Sequence, residues 1–117
     1  MTFKTHNDKH IDINITHLLG YCENLTRYSD LVALFGQPTD GDAYKVDAEW
    51  CIEFEDGKVA TIYNYKTGKN YCGKSGFSVD ILAGQDWHIG GKDEIVVERI
   101  HKLVRDHQRE TAQKEAA

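Results

Sequence analysis

The sequence predicts a single α+β domain, in which a small antiparallel sheet of three or four strands, with a long central hairpin, is covered by two helices. Two alternating apolar and polar segments flank Asp56-Gly57, which is typical of a hairpin turn. Two other segments carry apolar residues at helical spacing. The length of 117 residues fits one domain. We expect residues 1–10 to be a flexible N-terminal tail, residues 11–110 to be the domain, and residues 111–117 to be a flexible C-terminal tail.

The first strand and helix are predicted near the N-terminus. Residues 11–16 alternate isoleucine with polar residues, which indicates a half-buried strand that extends to residue 20. A helix follows, with Ser29 or Thr26 as its N-cap and Asp30 in the first turn, where the helix dipole favours an acid. Gly36 ends this helix. Its apolar face consists of Tyr28, Leu31, Val32 and Phe35.

The hairpin is the clearest pattern in the sequence. Residues 44–54 form one strand and residues 59–66 the other, and a two-residue type I′ turn at Asp56-Gly57 places Phe54 opposite Val59. The predicted inner face carries Trp50, Ile52, Phe54, Val59, Thr61, Tyr63 and Tyr65. The predicted outer face carries Glu49, Cys51, Glu53, Ala60, Ile62 and Asn64. The apolar Ala60 and Ile62 there indicate partial cover or self-association, and hence a homodimer or a higher homo-oligomer.

The C-terminal third is predicted to hold a short strand and a long helix. Residues 67–78 form a polar loop, and residues 79–82 fit either a short strand or a helical turn. Trp87 and Ile89 flank His88 in a strand that Gly90-Gly91 closes. The last helix runs from about residue 93 to residue 109. Its core-facing positions are Val96, Ile100, Leu103 and Val104.

Composition excludes several classes of protein. The formal charge of −5 argues against direct nucleic-acid binding, since general nucleic-acid binders usually carry a basic excess. Three cysteines without CxxC spacing, and six scattered histidines, fit neither a disulfide framework nor a metal site, so we expect no metal and no cofactor. No apolar run approaches the roughly 20 residues of a membrane span. The N-terminus lacks the apolar segment of a secretory signal, so we expect a cytoplasmic protein.

Residues 68–75 match the P-loop pattern GxxxxGK[ST]. That pattern cradles phosphate only when a parallel strand precedes it and a full helix follows it. The segment after Ser75 is short and rich in glycine and β-branched residues, which disfavours such a helix. A small P-loop-like nucleotide-binding enzyme therefore remains the lesser alternative, and we expect no catalytic residues.

The hairpin end and the following loop are the predicted ligand-binding region. Residues 57–79 hold no acid, although the protein is acidic overall, and tyrosines are interleaved there with four lysines. Lysine offers charge, tyrosine offers a stacking face, and glycine-rich backbone offers N–H groups to an anion. An ordinary solvated loop is the competing interpretation. The candidate ligand-binding residues are Tyr65, Lys66, Lys69, Asn70, Tyr71, Lys74, Trp87 and His88.

An acidic strand face is the alternative interaction surface. Residues 40–56 hold seven acids and one lysine, and four of the acids recur along one strand face. These carboxylates, spaced roughly 6.7 Å apart, form a row that is able to bind a basic partner. Charged side chains are also ordinary on the solvent-exposed side of a strand. The candidate partner-binding residues are Asp47, Glu49, Glu53 and Glu55.

The chain resembles a set of short phage-encoded proteins of mostly unassigned function, over roughly residues 31–104. The residues that carry the resemblance are Leu34-Phe35-Gly36-x-Pro38, Tyr44 to Trp50, Phe54-Glu55-Asp56-Gly57-x-Val59 to Lys66, and Trp87 to Gly91. This resemblance implies an accessory phage protein that acts in the cytoplasm of a bacterial host and antagonises a bacterial defence. It transfers no functional residue.

The sequence therefore predicts a non-catalytic binding protein. The leading hypothesis is that it sequesters a small anionic signal of the nucleotide type. The alternative is an inhibitor, of the anti-CRISPR kind, that presents the acidic strand face to a defence nuclease or effector complex.

Overall fold

A computed structural model of the chain describes residues 2–6, 16–40, 47–65, 68 and 72–116. Along the chain, the helices and strands are β1 (Phe3–Thr5), β2 (His17–Tyr21), α1 (Tyr28–Phe35), β3 (Glu49–Phe54), β4 (Val59–Asn64), β5 (Trp87–Gly91) and α2 (Ile95–Ala116). Among the described residues between β4 and β5 there are three short 3-10 turns, Gly73–Ser75, Val79–Ile81 and Gly84–Asp86.

The predicted α+β class is confirmed, with a larger sheet than expected. The described residues form one five-stranded antiparallel sheet in the order β1-β3-β4-β5-β2, where three or four strands were predicted. The additional strand is β1, which falls within the predicted N-terminal tail and pairs with β3. A strand of three residues is too short to show an alternating apolar and polar pattern in the sequence. Phe3 nevertheless packs against Phe35 and Phe54, with ring centroids 5.3 and 6.4 Å apart.

The two helices and one face of the sheet enclose the core. We call this face the inner face; Trp50, Ile52 and Phe54 lie on it and are at most 2% exposed. Trp50 packs edge-on against Trp87 at 5.3 Å and donates its indole N–H to the Gly36 carbonyl at the end of α1. The helices contribute Leu31, Phe35, Val96, Ile100 and Val104 to the same cluster. The prediction that both helices cover the face of Trp50 is therefore confirmed.

The hairpin register differs from the predicted one by one residue. Glu53, not Phe54, pairs with Val59. The loop has three residues: Phe54 donates its N–H to the Lys58 carbonyl, and Gly57 donates its N–H to the Phe54 carbonyl. Gly57 has a φ of 86°, the left-handed conformation of a type I turn with a bulge. Asp-Gly is compatible with both loops, so the local residues do not distinguish them.

This register reverses the faces predicted for β4. Ala60, Ile62 and Asn64 are fully buried on the inner face. Val59, Thr61 and Tyr63 lie instead on the opposite face, which we call the outer face. Because Ala60 and Ile62 pack inside a single chain, they give no support to the dimer that was inferred from them.

Several element boundaries also differ from the predictions. Helix α1 begins at Tyr28, so its N-cap is Arg27 and neither Ser29 nor Thr26. The side chain of Asp30, in the first turn, accepts the backbone N–H of Arg27. Helix α2 continues to Ala116 because residues 110–116 are mostly good helix formers without a breaker. The ambiguous segment 79–82 contains a 3-10 turn. The predicted strand residues 11–15 and 44–46 lie outside the described residues.

Candidate functional site

A cluster of aromatic side chains surrounds His88 on the outer face. The rings of Tyr21, Tyr63 and Tyr65 lie 4.9, 5.4 and 6.0 Å from the His88 ring, measured between centroids. Tyr21 meets the imidazole edge-on, and the other two rings are tilted. Tyr21 and Tyr65 are 43% and 39% exposed, so the cluster offers aromatic surface to solvent. We call these four residues the tyrosine cluster.

Three neighbouring strands assemble the tyrosine cluster. His88 of β5 pairs with Tyr63 of β4 on one side and with Tyr21 of β2 on the other. Cross-strand partners share a face and lie within contact distance. Tyr65 comes directly after the last residue of β4. It lies on the same face as Tyr63, two positions earlier, and its ring also contacts His88. Beside the cluster, Gly90 permits close packing, since a Cβ there would lie 2.6 Å from Thr61 Oγ1 and 3.4 Å from Tyr63 Cε1.

The protonation of the tyrosine cluster is set by partial burial. Burial raises the pKa of Tyr63, and the negative charge of Glu49 raises it further. Burial lowers the pKa of His88 below its usual 6.5, with Asp86 opposing that shift. The Tyr63 phenol and the His88 imidazole are consequently neutral at pH 7. A neutral imidazole has one donor and one acceptor nitrogen.

The four predicted partner-binding acids do not form one row. Glu49 and Glu53 lie on the outer face, where Glu49 pairs with Tyr63 and Glu53 contacts His6 Nε2 at 3.0 Å. Asp47 accepts a hydrogen bond from the amide of buried Asn64. Glu55 lies at the hairpin turn and accepts hydrogen bonds from Thr2.

The predicted ligand-binding residues are only partly brought together. Tyr65 and His88 belong to the tyrosine cluster. Trp87 does not, because it is fully buried and donates its indole N–H to the Leu82 carbonyl; it offers no ring to a ligand, contrary to the prediction. Lys74 is exposed in the turn Gly73–Ser75. Lys66, Lys69, Asn70 and Tyr71 lie outside the described residues.

Sequence reasoning missed Tyr21 and misplaced Tyr63. Tyr21 precedes Tyr63 by 42 residues of sequence, and only the pairing of β2 with β5 brings it to His88. Tyr63 was assigned to the core because of the register error. The available signal was that three tyrosines, Tyr21, Tyr63 and Tyr65, fall at or beside strand ends.

The described part of the P-loop match lacks the required surroundings. Strand β4, which precedes it, is antiparallel to both of its neighbours. Gly73–Ser75 form one 3-10 turn, and the next described α-helix begins only at Ile95. A phosphate-binding loop of this type places its backbone N–H groups at the start of a full helix. The geometry at residues 72–76 therefore does not favour a P-loop.

The cysteines and acids indicate no metal centre in the described part of the chain. There, no group of three His, Cys, Asp or Glu side chains is arranged to hold a metal ion. Burial raises the pKa of Cys22 to about 12 and that of Cys51 to about 11, with Glu23 and Glu49 adding to the respective shifts. Both thiols therefore remain protonated at neutral pH. Within the described residues, neither helix has the length and apolar character needed to cross a bilayer.

Comparison with known proteins returned no relatives. No protein-family model matches the chain, and searches of curated proteins and of solved structures also give no match.

Proposed function

We propose that the chain is a non-catalytic binding protein that uses the tyrosine cluster to sequester a small anionic ligand of the nucleotide type. The observation that carries the proposal is the set of four aromatic rings on the outer face, two of them more than one third exposed. The setting, a phage accessory protein that removes a signal used by a bacterial defence, follows from the sequence resemblance.

The chemistry of the tyrosine cluster supports a planar ligand. Stacking a base on an aromatic side chain contributes about 1–3 kcal/mol and tolerates different bases. The neutral imidazole of His88 adds one donor and one acceptor within the same surface. Lys66 and Lys69 closely follow Tyr65 in the sequence, and they are our candidates for pairing with phosphate.

A protein partner with a basic groove is the second candidate. The observation in its favour is that Glu49 and Glu53 share the outer face with the tyrosine cluster. Arginine and lysine side chains form ion pairs with carboxylates. They also make cation–π contacts with tyrosine rings, so this surface matches a basic protein partner.

A thermal-shift screen against mono-, di- and cyclic nucleotides tests the first candidate. A ligand present at 100 times its dissociation constant adds about 2.7 kcal/mol of stability. The double substitution Tyr21→Ala with Tyr65→Ala should abolish this gain, because it removes the exposed stacking rings. The matched control is Phe77→Ala, which removes another exposed ring, 56% exposed, from outside the tyrosine cluster. Ligand recovered from the complex should be chemically unchanged.

Charge substitutions separate the two candidates. Lys66→Glu with Lys69→Glu should abolish nucleotide uptake with little change in melting temperature. Glu49→Lys with Glu53→Lys should instead abolish binding to a basic protein, and that binding should weaken steeply with salt. Nucleotide uptake that survives loss of both Tyr21 and Tyr65 would rule out the tyrosine cluster as the site.

A further inference from the structure

The β3–β4 turn contains a chemically reactive dipeptide. Asp-Gly occurs twice in the chain, as Asp40-Gly41 and as Asp56-Gly57 in the turn. Because glycine has no Cβ to shield its backbone nitrogen, an aspartate that precedes it is especially prone to isomerise. We propose that Asp56-Gly57 is a site of aspartate isomerisation, which Arg99 of α2 keeps closed by holding both oxygens of the Asp56 carboxylate.

Isomerisation proceeds through a cyclic imide and leaves the mass of the chain unchanged. The Gly57 backbone nitrogen bonds to Cγ of the neutral Asp56 carboxyl, and the amide hydrogen leaves with the carboxyl hydroxyl as one water. Water then opens the five-membered imide. When it breaks the bond between nitrogen and the main-chain carbonyl carbon of Asp56, the backbone runs through Cβ and Cγ. The isoaspartate product therefore has one additional backbone atom in the turn.

Packing leaves the turn open to this reaction. The Asp56 side chain is 34% exposed. A Cβ atom added at Gly57 would have no described atom within 4 Å. Water therefore reaches the turn, so hydrogen bonds, and not steric cover, provide the protection.

Hydrogen bonds within the described residues restrain both reacting groups. Arg99 donates to the two carboxylate oxygens of Asp56 at 3.0 and 2.7 Å, and the backbone N–H of Lys58 donates to Oδ1 at 3.2 Å. The Gly57 N–H donates instead to the Phe54 carbonyl at 2.8 Å. The attacking nitrogen and the carboxyl group are thus held by different partners, and cyclisation requires these bonds to break.

Arg99 protects the turn in a second way, because it keeps the carboxyl group ionised. Its hydrogen bond is the largest cause that lowers the pKa of Asp56 to about 2. The neutral carboxyl that the nitrogen attacks is therefore scarce at pH 5 to 7. The guanidinium of Arg99 is itself well fixed, since its side chain is 16% exposed and lies 5.0 Å above the Phe54 ring.

Asp40-Gly41 supplies an internal comparison with the same dipeptide. Asp40 is exposed, and within the described part of the chain no hydrogen bond or ion pair involves its carboxylate. If Arg99 protects Asp56, the folded protein should form isoaspartate faster at Asp40 than at Asp56. In urea, where the pair with Arg99 is broken, the two rates should converge.

Peptide mapping after prolonged incubation at pH 5 to 7 tests the inference. Trypsin releases residues 28–45 and residues 46–58 as separate peptides, and electron-transfer fragmentation distinguishes isoaspartate from aspartate in each. Arg99→Ala should raise the rate at Asp56 by about 10-fold, the change in neutral fraction for one pKa unit, and should leave the rate at Asp40 unchanged. Arg99→Lys keeps the charge without the bidentate geometry, so its rate should be intermediate.

Arg105→Ala is the matched control. Arg105 also donates two hydrogen bonds from α2 to one carboxylate, that of Glu23, at 2.7 and 2.6 Å, and its loss should leave the rate at Asp56 unchanged. Equal rates at Asp40 and Asp56 in the folded wild type would overturn the inference. An unchanged rate in Arg99→Ala, or an equal increase in Arg105→Ala, would also overturn it. Circular dichroism checks that the variants are folded; if Arg99→Ala is not, Arg99→Lys and the wild-type comparison decide the outcome.

Discussion

At the scale of single residues, Trp50 links the sheet to α1. Its side chain is fully buried, it contacts the rings of Tyr28 and Trp87, and its indole N–H donates to the Gly36 carbonyl. That bond satisfies one of the backbone carbonyls that a helix end leaves without a partner. One side chain thus provides both packing and a helix-terminal hydrogen bond.

Replacing Trp50 by alanine should destabilise the fold by about 3–5 kcal/mol, because it leaves a cavity in the core. Trp50→Phe should cost less, since a phenyl ring still fills most of the indole volume, although the N–H donor and the remainder of the indole are lost. Urea denaturation of both variants, followed by circular dichroism, measures these differences. Phe77→Ala is the exposed control. A near-neutral Trp50→Ala would mean that the inner face is wrongly assigned.

At the scale of elements, the β3–β4 hairpin is positioned by contacts from outside its turn. Asp56 in the loop accepts two hydrogen bonds from Arg99 of α2, at 3.0 and 2.7 Å. At the other end of the hairpin, the side-chain oxygen Oδ1 of buried Asn64 accepts hydrogen bonds from the backbone N–H groups of Asp47 and Ala48. The register therefore agrees with contacts at both ends, and it directs Ile62 inward and Tyr63 outward.

The register is tested by comparing Ile62→Ala with Val59→Ala. Ile62 is fully buried on the inner face, whereas Val59 is half-buried on the outer face. We expect Ile62→Ala to lower the free energy of unfolding by about 2–5 kcal/mol and Val59→Ala to lower it by clearly less. A two-residue turn would reverse this order. Equilibrium denaturation of the two variants under identical conditions distinguishes the two registers.

At the scale of the whole molecule, ion pairs connect α2 to the sheet and its loops. Arg99 pairs with Asp56, Arg105 pairs with Glu23, and Lys58 pairs with Asp93 just before the helix. Arg99 also lies 5.0 Å above the ring of Phe54. Hydrogen bonds from these cations lower the pKa values of Glu23, Asp56 and Asp93. The packing of α2 is therefore coupled to pH and salt.

Acid should destabilise the protein through these pairs. The hydrogen bond with Arg99 holds the pKa of Asp56 at about 2, below its ordinary 3.8. A lowered pKa contributes stability above the unfolded value, and that contribution is lost as the pH falls from about 4 towards 2. Asp56→Asn should accordingly have a lower free energy of unfolding than the wild type at pH 7. On acidification, its free energy of unfolding should fall by less than that of the wild type. The control is Asp80→Asn, which removes an exposed aspartate elsewhere. Urea denaturation from pH 7 to pH 2 tests this; parallel profiles of wild type and Asp56→Asn would contradict it.

The sequence by itself determined the fold class, the order of the main elements and the inward face of β3. These features follow from local periodicity: alternation marks Trp50, Ile52 and Phe54, and helical spacing marks Val96 and Ile100. Gly36 marked the end of α1 because glycine is the residue that most often follows the last turn of a helix. Two residues of the candidate site, Tyr65 and His88, were also predicted, because polar aromatic residues near strand ends are visible in the sequence.

Only the tertiary structure decided the hairpin register, the edge strand β1 and the composition of the tyrosine cluster. Asp56-Gly57 suits two loop lengths, and a shift of one residue exchanges the faces of a whole strand. Tyr21 reaches His88 through pairing between distant segments, and Trp87 is withdrawn into the core by packing against Trp50. The physical reason is that local patterns record which side of an element is apolar, whereas the choice of neighbours depends on contacts between segments far apart in the chain.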